Sequence, residues 1–449
     1  MVRFRGLLAA TCRMSRFEGF SSMSKKRLAL VVGGGPAPGI NGVISAVTIE
    51  ALTQQGWDVF GVMEGFKHLV KGDKSQIKSL TVDDVKNINI KGGSILSTAR
   101  VNPAKNEQDL QTVLRVLKEM DISYLVTIGG DDTAYSGSQV YKAGGGSIRV
   151  AHVPKTIDND LPLPPSVPTF GFETARQIGV NLVRNLMEDA KTSRRWFFVI
   201  SMGRAAGHLA LGIGKASAAT LTIIPEEFRK APPTLDSLCE ILVGAIIKRR
   251  SKGQDYGVAV LAEGLVEALG EEALQAMGEA QLARYGKIER DPHGHLRMAE
   301  VDFGRMIKDQ VAQRLKALGI SMTLTEKEIG YELRCADPVP FDAEYTRDLG
   351  YSAVKFLLSP DSAKYGAIIS LVDGKMKPLP FETMLDPKTK RMQTRKVDIS
   401  GEGYECARRY MIRLDRRDVE NPENIQRLAK AGNMEEKAFV ERFSKIIDT

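Results

Sequence analysis

One repeated unit constrains this chain more than any other feature: a short β-rich apolar run, then a glycine-rich turn, then an amphipathic helix. Leu28 to Val32 reads as a buried strand and Ile40 to Gln55 as the helix after it. The spacing then predicts strands over Trp57–Met63, Tyr124–Ile128 and Ile148–Val153, with helices over Glu107–Met120 and Thr133–Ala143. A proline-rich break, Leu161 to Pro168, interrupts the series. The alternation resumes with a helix over Glu173–Ala190, a strand over Trp196–Ser201, a helix near Gly207–Lys215 and a strand over Gly257–Ala262. Strands alternating with helices imply parallel sheets covered on both faces, here in two α/β lobes.

Composition bears on partners. With 43% hydrophobic and 26% charged residues the chain is ordinary globular material. Its longest apolar runs, such as Ile241 to Ile247, fall far short of the roughly 18 residues of a membrane span, so no membrane partner is expected. The formal charge of +8 is concentrated in residues 1–27, where seven Lys and Arg face Glu18 alone. The body is near neutral, which argues against a nucleic-acid partner, and the basic run Lys388 to Lys396 reads as a solvated face. Residues 1–22 share the Arg- and Ser-containing, acid-poor composition of organelle transit peptides. Met23 opens a fresh start before the first strand, so the preferred reading is an unstructured extension on a cytoplasmic protein. Cys12, Cys239, Cys335 and Cys406 form no CxxC pair, and His293 and His295 read as a surface turn rather than as metal ligands.

In open parallel sheets ligands bind beyond the carboxyl ends of the strands, which directs attention to the turns there. The first is Gly33-Gly34-Gly35-Pro36-Ala37-Pro38-Gly39, whose amides and following helix suit a phosphate but whose spacing is neither GxGxxG nor a P-loop. The second, Gly129-Gly130-Asp131-Asp132-Thr133, adds two acids, one of which could hold Mg²⁺ for phosphoryl transfer; the competing reading is a helix N-cap. The third, Pro154-Lys155-Thr156-Ile157-Asp158-Asn159-Asp160, joins a cation, a hydroxyl and two acids, a general-base constellation whose competitor is an Asx-rich loop.

These turns, followed in order by Gly171-Phe-Glu-Thr174, Met202-Gly203-Arg204, Ala262-Glu263-Gly264 and Arg334 ahead of Pro338-Val-Pro340, resemble the 6-phosphofructokinase family over residues 25 to 350. The resemblance implies two Rossmann-like lobes with the active site in the cleft between them. It divides the chain into an extension (1–23), a lobe for donor and Mg²⁺ (24–165), a sugar-phosphate lobe (166–340) and C-terminal helices returning to the lobes (341–449). It implies Gly34 in the donor-phosphate loop, Asp131 on Mg²⁺ and Asp158 as the base for the sugar 1-hydroxyl, flanked by Thr156, Ile157 and Asp160. It assigns Met202, Gly203, Arg204 and Glu263 to the sugar phosphate, and Arg195 and Arg334 to its 6-phosphate. Arg195 is usually lent by a neighbouring subunit, which implies a homodimer or homotetramer with shared sites.

Two departures bear on the donor. ATP users of the family usually carry Gly where Asp132 and Lys155 stand, so the turns resemble the pyrophosphate-dependent branch. A carboxylate at Asp132 would face a nucleotide α-phosphate, and two like charges about 5 Å apart at an effective dielectric of 20 repel by roughly 3 kcal/mol. Pyrophosphate ends before that point. Arg100 matches a donor-site Arg of the ATP enzymes, Tyr331 stands where they often carry His, and Thr325 falls where a second neighbouring-subunit Arg is common. The expected substrates are fructose 6-phosphate and pyrophosphate. An ATP-dependent phosphofructokinase and, from another class, a non-catalytic sugar-phosphate sensor are the alternatives; the sensor should have lost Asp131 or Asp158, and both are present.

Overall fold

The computed structural model describes residues 25–286 and 301–447. The extension and the His293/His295 turn lie outside the described residues. Two sheets carry the molecule. Among the described residues the strands are β1 (Arg27–Val32), β2 (Asp58–Val62), β3 (Ile77–Ser79), β4 (Tyr124–Gly129), β5 (Arg149–Pro154), β6 (Arg195–Ser201), β7 (Leu221–Ile223), β8 (Gly257–Ala262), β9 (Thr323–Ile329), β10 (Ala367–Val372) and β11 (Lys375–Pro380).

The first sheet has the order β11-β10-β5-β4-β1-β2-β3. Its five inner strands are parallel, but β3 and β11 pair antiparallel at the two edges, so the sheet is mixed where the periodicity implied a purely parallel one. Both edge strands are short-range additions folded back on a neighbour, which a search for strand–helix units does not detect. The inner strands are apolar on both faces because both are covered. Leu28, Leu30 and Val32 of β1 pack with the helices Ile40–Ile49 and Pro340–Leu358, while Ala29 and Val31 face the helix Glu107–Glu119. The second sheet, β7-β8-β6-β9, is parallel throughout. Trp196, Phe198 and Ile200 of β6 face the helices Leu235–Arg250 and Phe303–Ala317; Phe197 and Val199 face Phe172–Ser193 and His208–Ser217.

The proline-rich segment is not an exposed linker. Leu161, Leu163 and Val167 are buried in the core of the first sheet, and the chain crosses to the second only through the helix Phe172–Ser193. After β9 it crosses back, placing Pro340–Leu358, β10 and β11 on the first sheet, and then returns Leu414, Leu428, Phe439 and Phe443 to the core of the second.

One carboxylate joins these crossings. Asp342, at the start of Pro340–Leu358, is fully buried and accepts from Gly171 N at 2.9 Å, Thr174 N at 2.8 Å and Thr174 Oγ1 at 2.6 Å. It therefore satisfies orphan amides at the start of Phe172–Ser193 from a different helix. Asp342→Ala would leave those donors buried without a partner and should lower stability by about 3 kcal/mol in denaturant titrations. A loss under about 1 kcal/mol would show that the crossings are held elsewhere.

Candidate active site

Strand order decides where the site lies. The chain leaves β1 toward β2 on one side and reaches β4 on the other, so β1 and β4 flank a topological switch point, where open α/β sheets bind ligands. The turns after β1, β4 and β5 converge there. The turns after β6, β8 and β9 supply Met202, Glu263 and Tyr331 to the facing wall. Together they enclose a cavity of about 610 Å³ lined by residues of both sheets.

Of the residues singled out from the sequence, the cavity gathers Gly34, Arg100, Asp131, Asp132, Lys155, Thr156, Ile157, Asp158, Met202, Arg204, Glu263, Tyr331 and Arg334. Gly203 and Asp160 are not among the lining residues. Gly203 is close to them: a Cβ built there would lie 3.9 Å from Asp158 Oδ1, and its φ of +126° already favours glycine. Arg195 is not at this cleft of its own chain. It starts β6, whose other end carries Met202, about 20 Å away at 3.3 Å per residue.

In the first turn, Gly34 has φ +82°, and a Cβ there would stand 3.2 Å from Lys155 Nζ. That nitrogen donates to Gly35 O at 2.5 Å, so β5 is pinned to the first turn by a side chain only 5% exposed. Burial, and next the charge of Arg334, lower the Lys155 ammonium to about 8.

The second turn shows why its acids are free for chemistry. The helix Asp131–Ala143 is N-capped by Gly130 with no side-chain cap, so Asp131 and Asp132 are first-turn residues that open to the cavity. This excludes the N-cap reading. Partial burial, then the charge of Asp131, raises the Asp132 carboxyl, against the opposing charges of Lys105, Arg391 and Arg100. His152, fully buried, holds the turn from behind. Its Nε2 donates to Gly129 O at 3.0 Å and its Nδ1 accepts from Thr127 Oγ1 at 2.9 Å. Burial drops its pKa to about 3, so the ring is neutral and its tautomer is set by the carbonyl.

The third turn holds a buried acid with an open valence. Asp158 Oδ1 has no hydrogen-bond partner, while the residue's N–H donates to Thr156 Oγ1 at 3.0 Å. Burial, with the charges of Asp160 and Glu263, pushes the Asp158 carboxyl up to about 7 against Arg334 and Lys155. Asn159, at φ +56°, accepts from Thr169 N at 3.0 Å through Oδ1. The Asx-type contact thus falls on Asn159 and leaves Asp158 unoccupied by it. On the facing wall Glu263 Oε2 accepts from Gly203 N at 3.1 Å, and the Arg334 guanidinium lies 5.0 Å over the Tyr331 ring.

The expectation that Lys388 to Lys396 is a solvated face is overturned at its end. The Arg395 guanidinium turns inward onto Asn159 and Val167, because backbone carbonyls of the third turn and of the proline-rich loop converge there. Lys105 and Arg391, which face Asp132, also escaped the reading of the turns. The proline just before Ala104 and Lys105 was the one local sign that this stretch is shaped.

Among the described residues no cluster of three or more His, Cys, Asp or Glu could hold a metal by itself. One carboxylate beside phosphate oxygens is nevertheless what Mg²⁺ usually takes, since it keeps several waters and relies on substrate phosphates. Asp131, exposed at the mouth of a helix N-terminus that favours phosphate, fits that role. No helix among the described residues is long and apolar enough to cross a membrane.

Comparison with known proteins agrees with this geometry. Over 418 residues the chain is 51% identical to a pyrophosphate–fructose 6-phosphate 1-phosphotransferase of Thermotoga maritima, spanning 93% of this chain and 98% of that protein. It is 49% identical over 430 residues to a protein of the same name from Naegleria fowleri, spanning 94% and 95%. Among solved structures, a pyrophosphate-dependent phosphofructokinase from Nitrosospira multiformis shares the fold at TM-score 0.62 and 17% identity, over 86% of this chain and 90% of that one. The phosphofructokinase family model matches residues 27–357, the stretch that builds every wall of the cavity, and the chain belongs to the phosphofructokinase family.

Proposed function

We propose that the chain transfers a phosphoryl group reversibly from pyrophosphate to the 1-hydroxyl of fructose 6-phosphate, giving fructose 1,6-bisphosphate and phosphate. The observation that carries this reading is the pairing, in one cavity, of Asp132 with the buried ammonium of Lys155. A carboxylate beside the metal acid repels a third phosphate, and a fixed cation serves a small, highly charged donor with no base or ribose to anchor it. The relatives with this reaction in their names support it.

Asp158 is the base in this account. Its unpartnered Oδ1 is free to accept the 1-hydroxyl proton, and Thr156 holds its backbone. Gly34 and its neighbours offer amides to the donor, with Arg100 and Lys155 beside them. Arg334 and Arg204 receive the sugar phosphate, Glu263 is suited to sugar hydroxyls, and Met202, Ile157 and Tyr331 shape the apolar part of the wall. Asp131 would hold Mg²⁺, which when bound supplies charge neutralisation at the transferring phosphate. Asp160 acts through the turn that it shares with Asp158.

The distance of Arg195 from the cleft of its own chain supports a homo-oligomer in which a neighbouring copy lends it to the 6-phosphate. A cytoplasmic setting goes with the unpaired thiols of Cys239, Cys335 and Cys406.

Purified protein assayed with fructose 6-phosphate and Mg²⁺ should turn over with pyrophosphate and show little or no rate with ATP. A preference for ATP would overturn the reading of the donor. Asp158→Asn keeps the shape of the base and removes its proton acceptor, so turnover should fall on the order of 10²–10⁴-fold. Because the Asp158 carboxyl is raised to about 7, the base form is lost as pH falls through that value. Wild-type kcat/KM should therefore drop by about tenfold per pH unit below it. A flat profile down to pH 5, or an active Asp158→Asn, would remove Asp158 from the role.

A further inference from the structure

Beyond the family-matched stretch, the chain sends one segment back across the cleft, and it touches both walls. On the first wall, Arg395 N donates to Asp160 O at 2.7 Å. Its guanidinium donates to Asn159 O at 3.0 and 3.1 Å, to Val167 O at 2.7 Å, to Pro164 O at 3.4 Å and, by a short contact, to Asn159 Oδ1. On the second wall, Arg395 O accepts from His208 Nε2 at 3.2 Å and Lys396 Nζ donates to Ala205 O. Val397 N donates to Glu226 Oε1 at 3.1 Å, and the same oxygen accepts from Gly207 N at 3.0 Å. Arg229 closes the set on Val397 O.

Three consecutive residues thus join the turn that carries Asp158 to the loop that follows Met202-Gly203-Arg204. These are the two surfaces that must meet for transfer, and a Cβ at Gly203 would lie 3.9 Å from Asp158 Oδ1. We infer that Arg395 is a positioning residue, the centre of a strap over 395–397 that fixes the separation between the base and the sugar-phosphate loop. The chemistry suits the residue. A planar guanidinium with five donors can serve several backbone carbonyls at once, which an ammonium cannot do in a fixed geometry. Those carbonyls belong to Asn159, whose φ of +56° is held by little else than Thr169, and to the proline-rich loop beneath it. Glu226, buried at 4% exposure, is aligned by two amides from different elements, so the strap ends on a rigid post.

The proposal rests on the proposed transfer for its kinetic readout but not for its structural one. Full-length wild type, Arg395→Ala, Arg395→Lys and Lys396→Ala are compared by steady-state kinetics with pyrophosphate and by hydrogen–deuterium exchange. A misplacement of about 1 Å at a reacting centre costs on the order of 10²-fold, so kcat should fall by about that factor in Arg395→Ala. The KM for pyrophosphate should stay within about threefold, because the donor turns after β1 and β4 do not touch the strap. Arg395→Lys should recover only a small part of kcat, and Lys396→Ala should lose less than Arg395→Ala. Exchange should rise in Arg395→Ala on both walls, over residues 156–163 and 203–208. A folded Arg395→Ala with wild-type kcat, or a change in exchange on one wall alone, would overturn the strap. If Arg395→Ala does not fold, Arg395→Lys and Lys396→Ala decide by the same two readouts. If wild type itself is inactive with pyrophosphate, the proposed function fails while the exchange result still judges the strap.

Discussion

The Lys155 ammonium sits where both acid turns and the first glycine turn meet, buried and bonded to Gly35 O at 2.5 Å. Much of the cavity follows from keeping that charge. Asp131 and Asp158 favour it, while Arg334 and Arg100 oppose it, and burial brings its pKa down to about 8. At neutral pH it is still protonated, although burial makes its surroundings a poorer host for the charge than water. Gly34 has to be glycine beside it, for its backbone and for the space Nζ occupies. The result is a fixed positive charge in the cavity, close to Asp158, whose Oδ1 has no hydrogen-bond partner.

Neither sheet makes this pocket alone. The first provides the turns after β1, β4 and β5 at its switch point, with Asp158 among them, and the second provides Arg204, Glu263 and Arg334. A Cβ at Gly35 would meet the Arg334 guanidinium at 3.4 Å, and one at Gly203 would approach Asp158, so the walls are in register at two places across the cleft. Asp342 at the crossing helices and the 395–397 strap both hold that register. Fold and chemistry are therefore coupled through a few long-range contacts rather than through the turns themselves.

That distinction explains what could be read before the structure. Strands such as β1 and β4 are continuous apolar runs buried on both faces, and their turns carry their chemistry in consecutive residues. Local order was enough to find them. By contrast β9, Thr323–Ile329, is a partly exposed edge strand with Glu326, Lys327 and Glu328 in its middle, and it has no apolar signature. The short β3 and the return strand β11 lie outside the strand–helix rhythm, and β7 is only three residues long. Arg395 was hidden for a different reason. Its partners are backbone carbonyls some 230 residues away in the chain, identical in every residue type, so nothing in a basic run marks the one side chain that turns inward. Asp160 and Gly203 show the opposite limit: motif order places them at the site, yet neither is among the residues that line the cavity.

The central claim is that the Asp132 carboxylate, set against a fixed Lys155 ammonium, selects a two-phosphate donor by charge. The most direct test is the ratio of kcat/KM for ATP to that for pyrophosphate in Asp132→Gly, compared with wild type. Removing about 3 kcal/mol of repulsion from the position of a nucleotide α-phosphate should raise that ratio by on the order of 10²-fold. Pyrophosphate turnover should fall at the same time. An unchanged ratio in a folded, active variant would contradict charge exclusion as the basis of donor choice.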